Sequence, residues 1–363
     1  MIMRGMIRIR RGVVREILAE RPGATELTVE LEGGDARALC YPALTGPARP
    51  GDRVVLNTTA VHLGLGTGGV HFVMAIEGSP DRDPDGPGHL IKARYTPTQV
   101  QVEAFEETGD QADAVQGVPV VWIPLHSMLG PVAAGARAAG ADRVAYVMTD
   151  HAALPAAFSR SLHELRSRGL IDAVVTAGQA FGGDLEAVSV FSGLLGATTA
   201  GRTDVIVIGD GPGSAGTATT WGASSLDSAA SLNAAGILGG RPVAALRVSF
   251  ADARERHVGV SHHSLTALSR VVLVPAHIAV PVIDDEDRRV TVWEALRAAR
   301  LEERHQLVEA TGQPALELLA SEGITPRSMG RTVQHDPEFF LAAGAAGVLA
   351  GRMASRDRAW RRP

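Results

Sequence analysis

Short apolar runs alternate with helical stretches from residue 118 onward, and this alternation constrains the fold more than any other feature of the sequence. The helical stretches include 156–168 and 226–238, which end at Gly169 and Gly239. Strands that alternate with helices in one domain form a mostly parallel sheet with helices on both faces. The pattern therefore predicts a doubly wound α/β domain, completed by a strand at 305–308 and a tail helix at 337–353. The other predicted strands are 118–123, 143–148, 172–176, 204–208, 242–248 and 271–274.

The first 77 residues carry a different pattern, in which hydrophobic and polar residues alternate with a period of two. Ile7 and Ile9 alternate with arginines, and Leu27, Val29 and Leu31 alternate with polar residues. Pro-Gly and Gly-Gly-Asp turns separate these runs. Short strands joined by tight turns predict a small β-barrel-like domain, closed or half-open, ahead of the α/β domain.

Residues 78–91 have no hydrophobic pattern and are rich in proline, which predicts an exposed linker between domains 1–77 and 92–363. The larger domain opens with Thr96-Pro97-Thr98-Gln99. A threonine N-cap, a proline at the first helical position and a glutamine three residues after the threonine are typical of a helix N-terminus. These residues predict a helix that continues to about Thr108.

Composition limits the classes of function. The net charge is −5 and the arginines are spread along the chain, so no face that would track nucleic-acid phosphates is predicted. The single cysteine, Cys40, excludes an internal disulfide, and burial is favoured over reactivity. The sequence has neither a signal-peptide pattern nor an apolar stretch of about 18 residues, which predicts a cytoplasmic protein without membrane contact. The sequence identifies no cofactor, and it is compatible with a homo-oligomer.

Polar residues and glycines recur where the predicted strands end. His126 follows the first strand of the large domain, Asp150 follows the second, and Gln179, Gly182 and Gly183 follow the third. Ligands bind beyond the carboxyl ends of the strands in open parallel sheets, so these residues are candidates for one site. Asp150 is a candidate acid or base and His126 a weaker one, while the other three are candidate ligand contacts.

A loop rich in glycine and hydroxyl groups, 209–222, follows the fourth strand and precedes a predicted helix. Glycines let backbone N–H groups converge on an anion, and a helix N-terminus adds a positive dipole. The predicted ligand contacts are Gly211, Gly213, Ser214, Gly216 and Thr217, and Gly213 is expected to take a positive φ. Close packing without a ligand is the alternative. The Gly-x-Gly-x-x-Gly spacing is weak support for a dinucleotide, because no acidic residue ends a strand about 20 residues later.

Two adjacent histidines open a further predicted helix, in Ser261-His262-His263-Ser264. With Ser261 as N-cap, the helix dipole disfavours an imidazolium at His262 and leaves a neutral ring that can act as a base or ligand. His263 is a weaker candidate, and a structural histidine bonded to a neighbouring loop is the alternative. No His-x-His, His-Glu-x-x-His or carboxylate–histidine spacing predicts a metal centre.

Four segments together resemble the bacterial domain of unknown function 3866 family. They begin at Tyr146 (Tyr-Val-Met-Thr-Asp), at Ala180 (Ala-Phe-Gly-Gly-Asp-Leu-Glu-Ala-Val), at Gly211 (Gly-Pro-Gly, through to Trp221) and at Gly259 (Gly-Val-Ser-His-His). The resemblance extends over nearly the whole chain. It implies no established activity, so no catalytic residue is carried over from it.

The leading hypothesis is an enzyme that acts on a small anionic metabolite held by loop 211–217, with His262 and Asp150 as candidate acid and base. The rival hypothesis is a non-catalytic scaffold or ligand sensor, in which the glycine loops form interfaces. The convergence of polar loops favours the enzyme. The lack of a recognised catalytic motif favours the scaffold, since doubly wound sheets host many functions.

Overall fold

The computed structural model describes residues 6–65, 68–108, 112–199 and 203–361. The chain divides into two compact units. The barrel unit comprises Met1–Pro87 and Arg94–Gln101, and the α/β unit comprises Gly88–Ala93 and Val102–Pro363.

A closed five-stranded barrel forms the barrel unit, which confirms the barrel predicted from the period of two. The strand order is β1-β2-β3-β5-β4, and β4 closes the barrel by pairing with β1. Leu27, Val29, Val54 and Leu56 are fully buried inside it, because alternate residues of each strand face the interior. The elements are β1 Ile9–Arg21, β2 Ala24–Leu31, β3 Gly34–Cys40, α1 Pro42–Thr45, β4 Arg53–Asn57, α2 Thr59–His62 and β5 His71–Ile76.

The helix predicted from Thr96 to Thr108 is wrong. The segment contains one short strand, β7 Val100–Val102, and a 3-10 turn at Phe105–Glu107, and another short strand, β6 Leu90–Lys92, precedes it. The Thr96 hydroxyl, which should have capped the helix, lies 3.3 Å from the Thr98 hydroxyl. A local capping pattern did not form a helix here, where Tyr95 takes a φ of +58° just ahead of it.

An eight-stranded, wholly parallel sheet forms the centre of the α/β unit, in the order β11-β10-β9-β12-β8-β13-β16-β17. This confirms the predicted parallel sheet. β14 and β15 form a separate antiparallel pair. The strands are β8 Pro119–Trp122, β9 Val144–Thr149, β10 Ala173–Ala177, β11 Leu185–Ala187, β12 Val205–Asp210, β13 Arg241–Ala245, β14 Val248–Ser249, β15 Gly259–Val260, β16 His277–Pro281 and β17 Gln306–Ala310.

Helices cover both faces of the sheet, as the alternation predicted. One face packs against α3, α4, α10 and α11, and the other packs against α5, α6, α7 and α9. The helices are α3 Leu129–Ala138, α4 Arg160–Ser167, α5 Val190–Thr199, α6 Ser224–Ala229, α7 Ser231–Ile237, α8 His262–Thr266, α9 Glu286–Ala298, α10 Gln313–Ser321 and α11 Pro337–Arg361. None of the helices in the described ranges is both long and apolar enough to cross a membrane.

The strand predicted at 271–274 is also wrong, because the strand there is β16, His277–Pro281. A π-helical turn, Ala267–Val271, precedes it. The backbone N–H groups of Leu273 and Val274 donate to the Asn233 side chain at 2.7 and 3.3 Å, instead of joining the sheet. The hydrophobic run therefore packs as a connection beside the sheet.

The connections that leave two neighbouring strands, β8 and β12, lie on opposite faces of the sheet. The chain leaves β8 toward α3 on one face and leaves β12 toward α6 and α7 on the other. Because β8 and β12 are adjacent, the crevice between these connections opens at their carboxyl ends. Such a topological switch point is where open α/β sheets bind ligands.

Candidate active site at the carboxyl edge of the sheet

A carboxylate and a histidine pair at the switch point. Asp210 is the last residue of β12, and the parallel register places it beside Thr149 at the end of β9. Its Oδ1 accepts a hydrogen bond from the Thr149 hydroxyl at 2.5 Å and lies 3.3 Å from His151 Nδ1. Asp210 is buried, whereas the His151 side chain is 33% exposed and within reach of a ligand. The hydrogen bond to Asp210 raises the pKa of His151 against the opposing effect of burial.

Asp150, the predicted acid or base, lies beside the same histidine. Its Oδ1 is 3.8 Å from His151 Nδ1, and its Oδ2 accepts a hydrogen bond from the backbone N–H of Gln179 at 2.7 Å. The candidate contact Gln179 is thus joined to Asp150 through its backbone. Asp150 serves as a second carboxylate next to His151 and fixes the turn after β10.

His126, the weaker candidate, is buried and fully bonded. Its Nδ1 lies 3.2 Å from both the Asp210 carbonyl oxygen and the Tyr146 hydroxyl, and its Nε2 lies 2.7 Å from the Ser159 hydroxyl. Burial lowers the pKa of His126 to about 4, so the ring is neutral at pH 7. Both ring nitrogens are engaged by groups of the protein itself, so the role of His126 is to support the backbone at Asp210.

A buried lysine organises the loop that contains Gly182 and Gly183. Lys92 is the only lysine in the chain, and its Nζ donates to the carbonyl oxygens of Thr176 and Ala180 and to Glu186 Oε2 at 2.7–2.8 Å. The Gly182 N–H donates to Glu186 Oε1 at 2.6 Å, and the Gly183 N–H donates to the Thr176 hydroxyl at 3.2 Å. Both predicted ligand-binding amides are therefore engaged within the loop.

The glycine-rich loop after β12 folds into a small hairpin. The Thr217 N–H donates to the Gly222 carbonyl oxygen at 2.7 Å, and the Ala215 N–H donates to the Ser224 hydroxyl at 3.1 Å. Helix α6, which follows, has only six residues. Gly213 has a φ of +103°, which confirms the expected positive value. Because these N–H groups bond within the hairpin, few converge in the way an anion nest requires.

Gly211 is a close-packing position of this loop, because a Cβ there would lie 2.7 Å from the Ala153 carbonyl oxygen. A Cβ at Gly216 would make only an ordinary van der Waals contact, 3.4 Å from His263 Cε1. Ser214 is half-buried at the base of the hairpin. The glycine-rich loop thus begins beside Asp210 and contacts the His263 side chain.

Three histidines gather beyond β13. His262 and His263 open α8, and His257 ends a 3-10 turn five residues earlier. Their ring centroids are 3.8–5.8 Å apart. Burial lowers the pKa of each, and the nearby Arg247 and Arg256 lower it further, so all three rings are neutral at pH 7.

Arginines outnumber carboxylates around these histidines. Asp252 accepts hydrogen bonds from Arg247 and Arg254 at 2.8–2.9 Å, and the bond from Arg254 contributes most to holding the pKa of Asp252 well below its usual range. Asp336 accepts a hydrogen bond from Arg331 at 3.0 Å. These three arginines share two carboxylates.

Arg256 has no carboxylate partner among the described residues, and its Nε is buried without a hydrogen bond. It adds a further positive charge beside the histidines. The local charge therefore favours an anion.

The sequence reasoning did not single out His151, Lys92, His257 or Arg256. A signal existed for two of them: His151 is adjacent to Asp150, and Lys92 is the only lysine in a chain rich in arginine. Nothing in the local sequence marks His257 or Arg256.

The fold and these side chains define a class: a doubly wound α/β protein with a polar site at its switch point, in a chain that also contains a closed five-stranded barrel. A family model described as Protein of unknown function (DUF3866) matches residues 37–347, and the chain belongs to this family. This confirms the resemblance seen in the sequence. Comparison with curated proteins gives no match, and comparison with solved structures gives none either.

Proposed function

We propose that the protein is an enzyme that acts on a small anionic metabolite at the carboxyl edge of the sheet. The pairing of His151 with buried Asp210 carries this proposal. A carboxylate only accepts hydrogen bonds, so the neutral His151 ring holds its proton on Nδ1 and has its lone pair on Nε2. A partly exposed imidazole oriented by a buried carboxylate is suited to taking a proton from a ligand and returning it.

The anionic group of the metabolite is bound by the arginine cluster. Arg256 provides a guanidinium that pairs with no carboxylate of the described residues, and the neutral His262 is its neighbour in the cluster. His262 thus belongs to the ligand-binding side, and the proton transfer first assigned to it passes to His151. Asp150 keeps a supporting role as the second carboxylate near His151.

The glycine-rich loop forms the wall of this site. It begins beside Asp210 and contacts His263, since the Thr219 carbonyl oxygen lies 3.2 Å from His263 Nε2. The candidate contacts Gly211, Gly213, Ser214, Gly216 and Thr217 act by shaping this wall more than by donating N–H groups. We place the enzyme in the cytoplasm, because its one cysteine forms no disulfide.

A non-catalytic scaffold or sensor is the second candidate. The engaged amides of Gly182, Gly183 and Thr217 favour it, because these loops are complete without a ligand. In that case the histidines and arginines would only tie the loops together.

A thermal-shift screen of phosphorylated and carboxylate metabolites tests the proposal. At least one metabolite should raise the melting temperature, since a ligand stabilises the native state that binds it. Arg256→Gln should abolish that shift, whereas the exposed Arg300→Gln is the control and should keep it.

The same metabolite then separates binding from chemistry. His151→Asn should still bind it and should lose turnover by a factor of about 10² to 10⁴, the usual contribution of a general acid or base. Failure of every anion to shift the wild-type melting temperature would reject the enzyme in favour of the scaffold.

A further inference from the structure

The three histidines have the geometry of a metal site. One ring nitrogen from each of His257, His262 and His263 lies within 4.8 Å of one from each of the others. Ligand nitrogens around a tetrahedral Zn²⁺ are roughly 3.4 Å apart, given Zn–N distances of about 2.1 Å. Small side-chain rotations would bring the rings to that separation.

The β14–β15 hairpin creates this arrangement. It reverses the chain between Ser249 and Gly259, and Gly259 takes a φ of +70° just after His257. Ser261, His262 and His263 then follow directly. His262 and His263 lie side by side, with ring centroids 3.8 Å apart, and the returning segment brings the His257 ring next to both.

Each ring has a nitrogen lone pair available for a metal, and on His257 and His263 the hydrogen bonds determine which nitrogen it is. His263 Nε2 must carry its proton, because its partner at 3.2 Å is the Thr219 carbonyl oxygen, and Nδ1 is then free. His257 Nδ1 lies 2.8 Å from the Ser261 hydroxyl, which can accept its proton and leave Nε2 free. His262 Nε2 is buried and has no hydrogen-bond partner among the described residues. Outer partners of this kind orient histidines toward a metal.

We propose that His257, His262 and His263 bind one divalent transition-metal ion, with Zn²⁺ as the best match. Imidazole nitrogen suits Zn²⁺, and three protein ligands leave a fourth position open for water or an anion. Each imidazole binds the metal through a nitrogen that carries no proton, and the hydrogen bonds of His257 and His263 leave such a nitrogen on each of these rings.

The positive charge of the nearby arginines affects which fourth ligand the metal ion would bind. Arg247, Arg254 and Arg256 lie close enough to affect the histidines, and their positive charge opposes a bare cation. An anionic fourth ligand would reduce that repulsion, so chloride, phosphate or a carboxylate should strengthen metal binding. The metal site does not depend on the proposed function, because Zn²⁺ can be titrated without any metabolite.

Calorimetric titration of the chelator-stripped full chain with ZnCl₂ tests the site. The expected result is one Zn²⁺ per chain, and Co²⁺ should give the visible absorption of a tetrahedral ion. Each of His257→Gln, His262→Gln and His263→Gln should weaken Zn²⁺ binding at least tenfold. His163→Gln is the matched control, since His163 is exposed on α4, and its binding should equal that of the wild type.

His262→Gln is the decisive variant. Within the part of the chain that the structure describes, His262 Nε2 has no hydrogen-bond partner, so this variant should keep the circular dichroism and melting temperature of the stripped wild type. Absence of Zn²⁺ and Co²⁺ binding in the wild type, or equal affinity in His262→Gln and wild type, would overturn the proposal.

His151→Asn should bind Zn²⁺ like the wild type while losing turnover. Failure of the metal site and failure of the proposed function are therefore separate results.

Discussion

Replacing Lys92 tests how the α/β unit supports the loop after β10. The Lys92 side chain is 1% exposed, and its ammonium group uses its three donors on two carbonyl oxygens and one carboxylate. Lys92→Met keeps a long apolar side chain and removes the charge. Glu186 and two backbone carbonyl oxygens would then lose their partner.

Removing one member of a buried ion pair costs about 3–5 kcal/mol in the free energy of unfolding. Glu186 would still accept hydrogen bonds from the Thr176 hydroxyl and the Gly182 N–H, so we expect the lower end, about 3 kcal/mol. Lys92→Arg should also cost about 1–3 kcal/mol, because a larger planar guanidinium does not fit three converging acceptors.

Urea unfolding followed by tryptophan fluorescence measures these losses. All four tryptophans belong to the α/β unit, so the signal reports that unit alone. The double variant Lys92→Met with Glu186→Gln should lose less than the sum of the single variants, because it leaves no unpaired charge. A loss below about 1 kcal/mol for Lys92→Met, or strict additivity in the double variant, would refute the reasoning.

Four further predictions concern single side chains. Gly213→Ala should lower the free energy of unfolding by about 1–2 kcal/mol through its positive φ, and an unchanged urea midpoint would contradict this. Tyr146→Phe should lower it by a similar amount, about 1–2 kcal/mol, because the Tyr146 hydroxyl donates to the Asp210 carbonyl oxygen at 2.8 Å; equal midpoints would show that the bond contributes nothing. The neutral state of His126 stabilises the fold above about pH 6.5, and that contribution is lost as the pH falls through its pKa of about 4, so His126→Gln should flatten the loss of stability between pH 7 and 4. Cys40 is buried and its thiol pKa is raised by burial, so a disulfide reagent should modify it only after unfolding, and rapid labelling of the native protein would argue against that.

The sequence predicted the secondary structure correctly where the hydrophobic pattern and the tertiary packing agree. Gly169 and Gly239 take positive φ after α4 and α7, as their place at the helix ends predicted. The pattern failed at residues 96–108 and 271–274, where the signals were purely local. Capping residues and a four-residue apolar run do not decide a structure by themselves. Residues 96–108 form β7 and a 3-10 turn, and the run 271–274 bonds to the Asn233 side chain.

Sequence patterns alone predicted the barrel, the parallel sheet with helices on both faces, and the edge of the sheet where polar residues follow the strands. These features follow from hydrophobic periodicity and from the position of residues after strands, which are local properties. Which of these residues come into contact depends on the tertiary structure. Asp210 reaches His151 through the register of β12 against β9, and His257 joins His262 because a hairpin reverses the chain. Lys92 contacts Glu186 across 94 positions of sequence. Such pairings depend on strand order and register, which are set by the packing of the whole unit and leave no trace in the spacing of the residues.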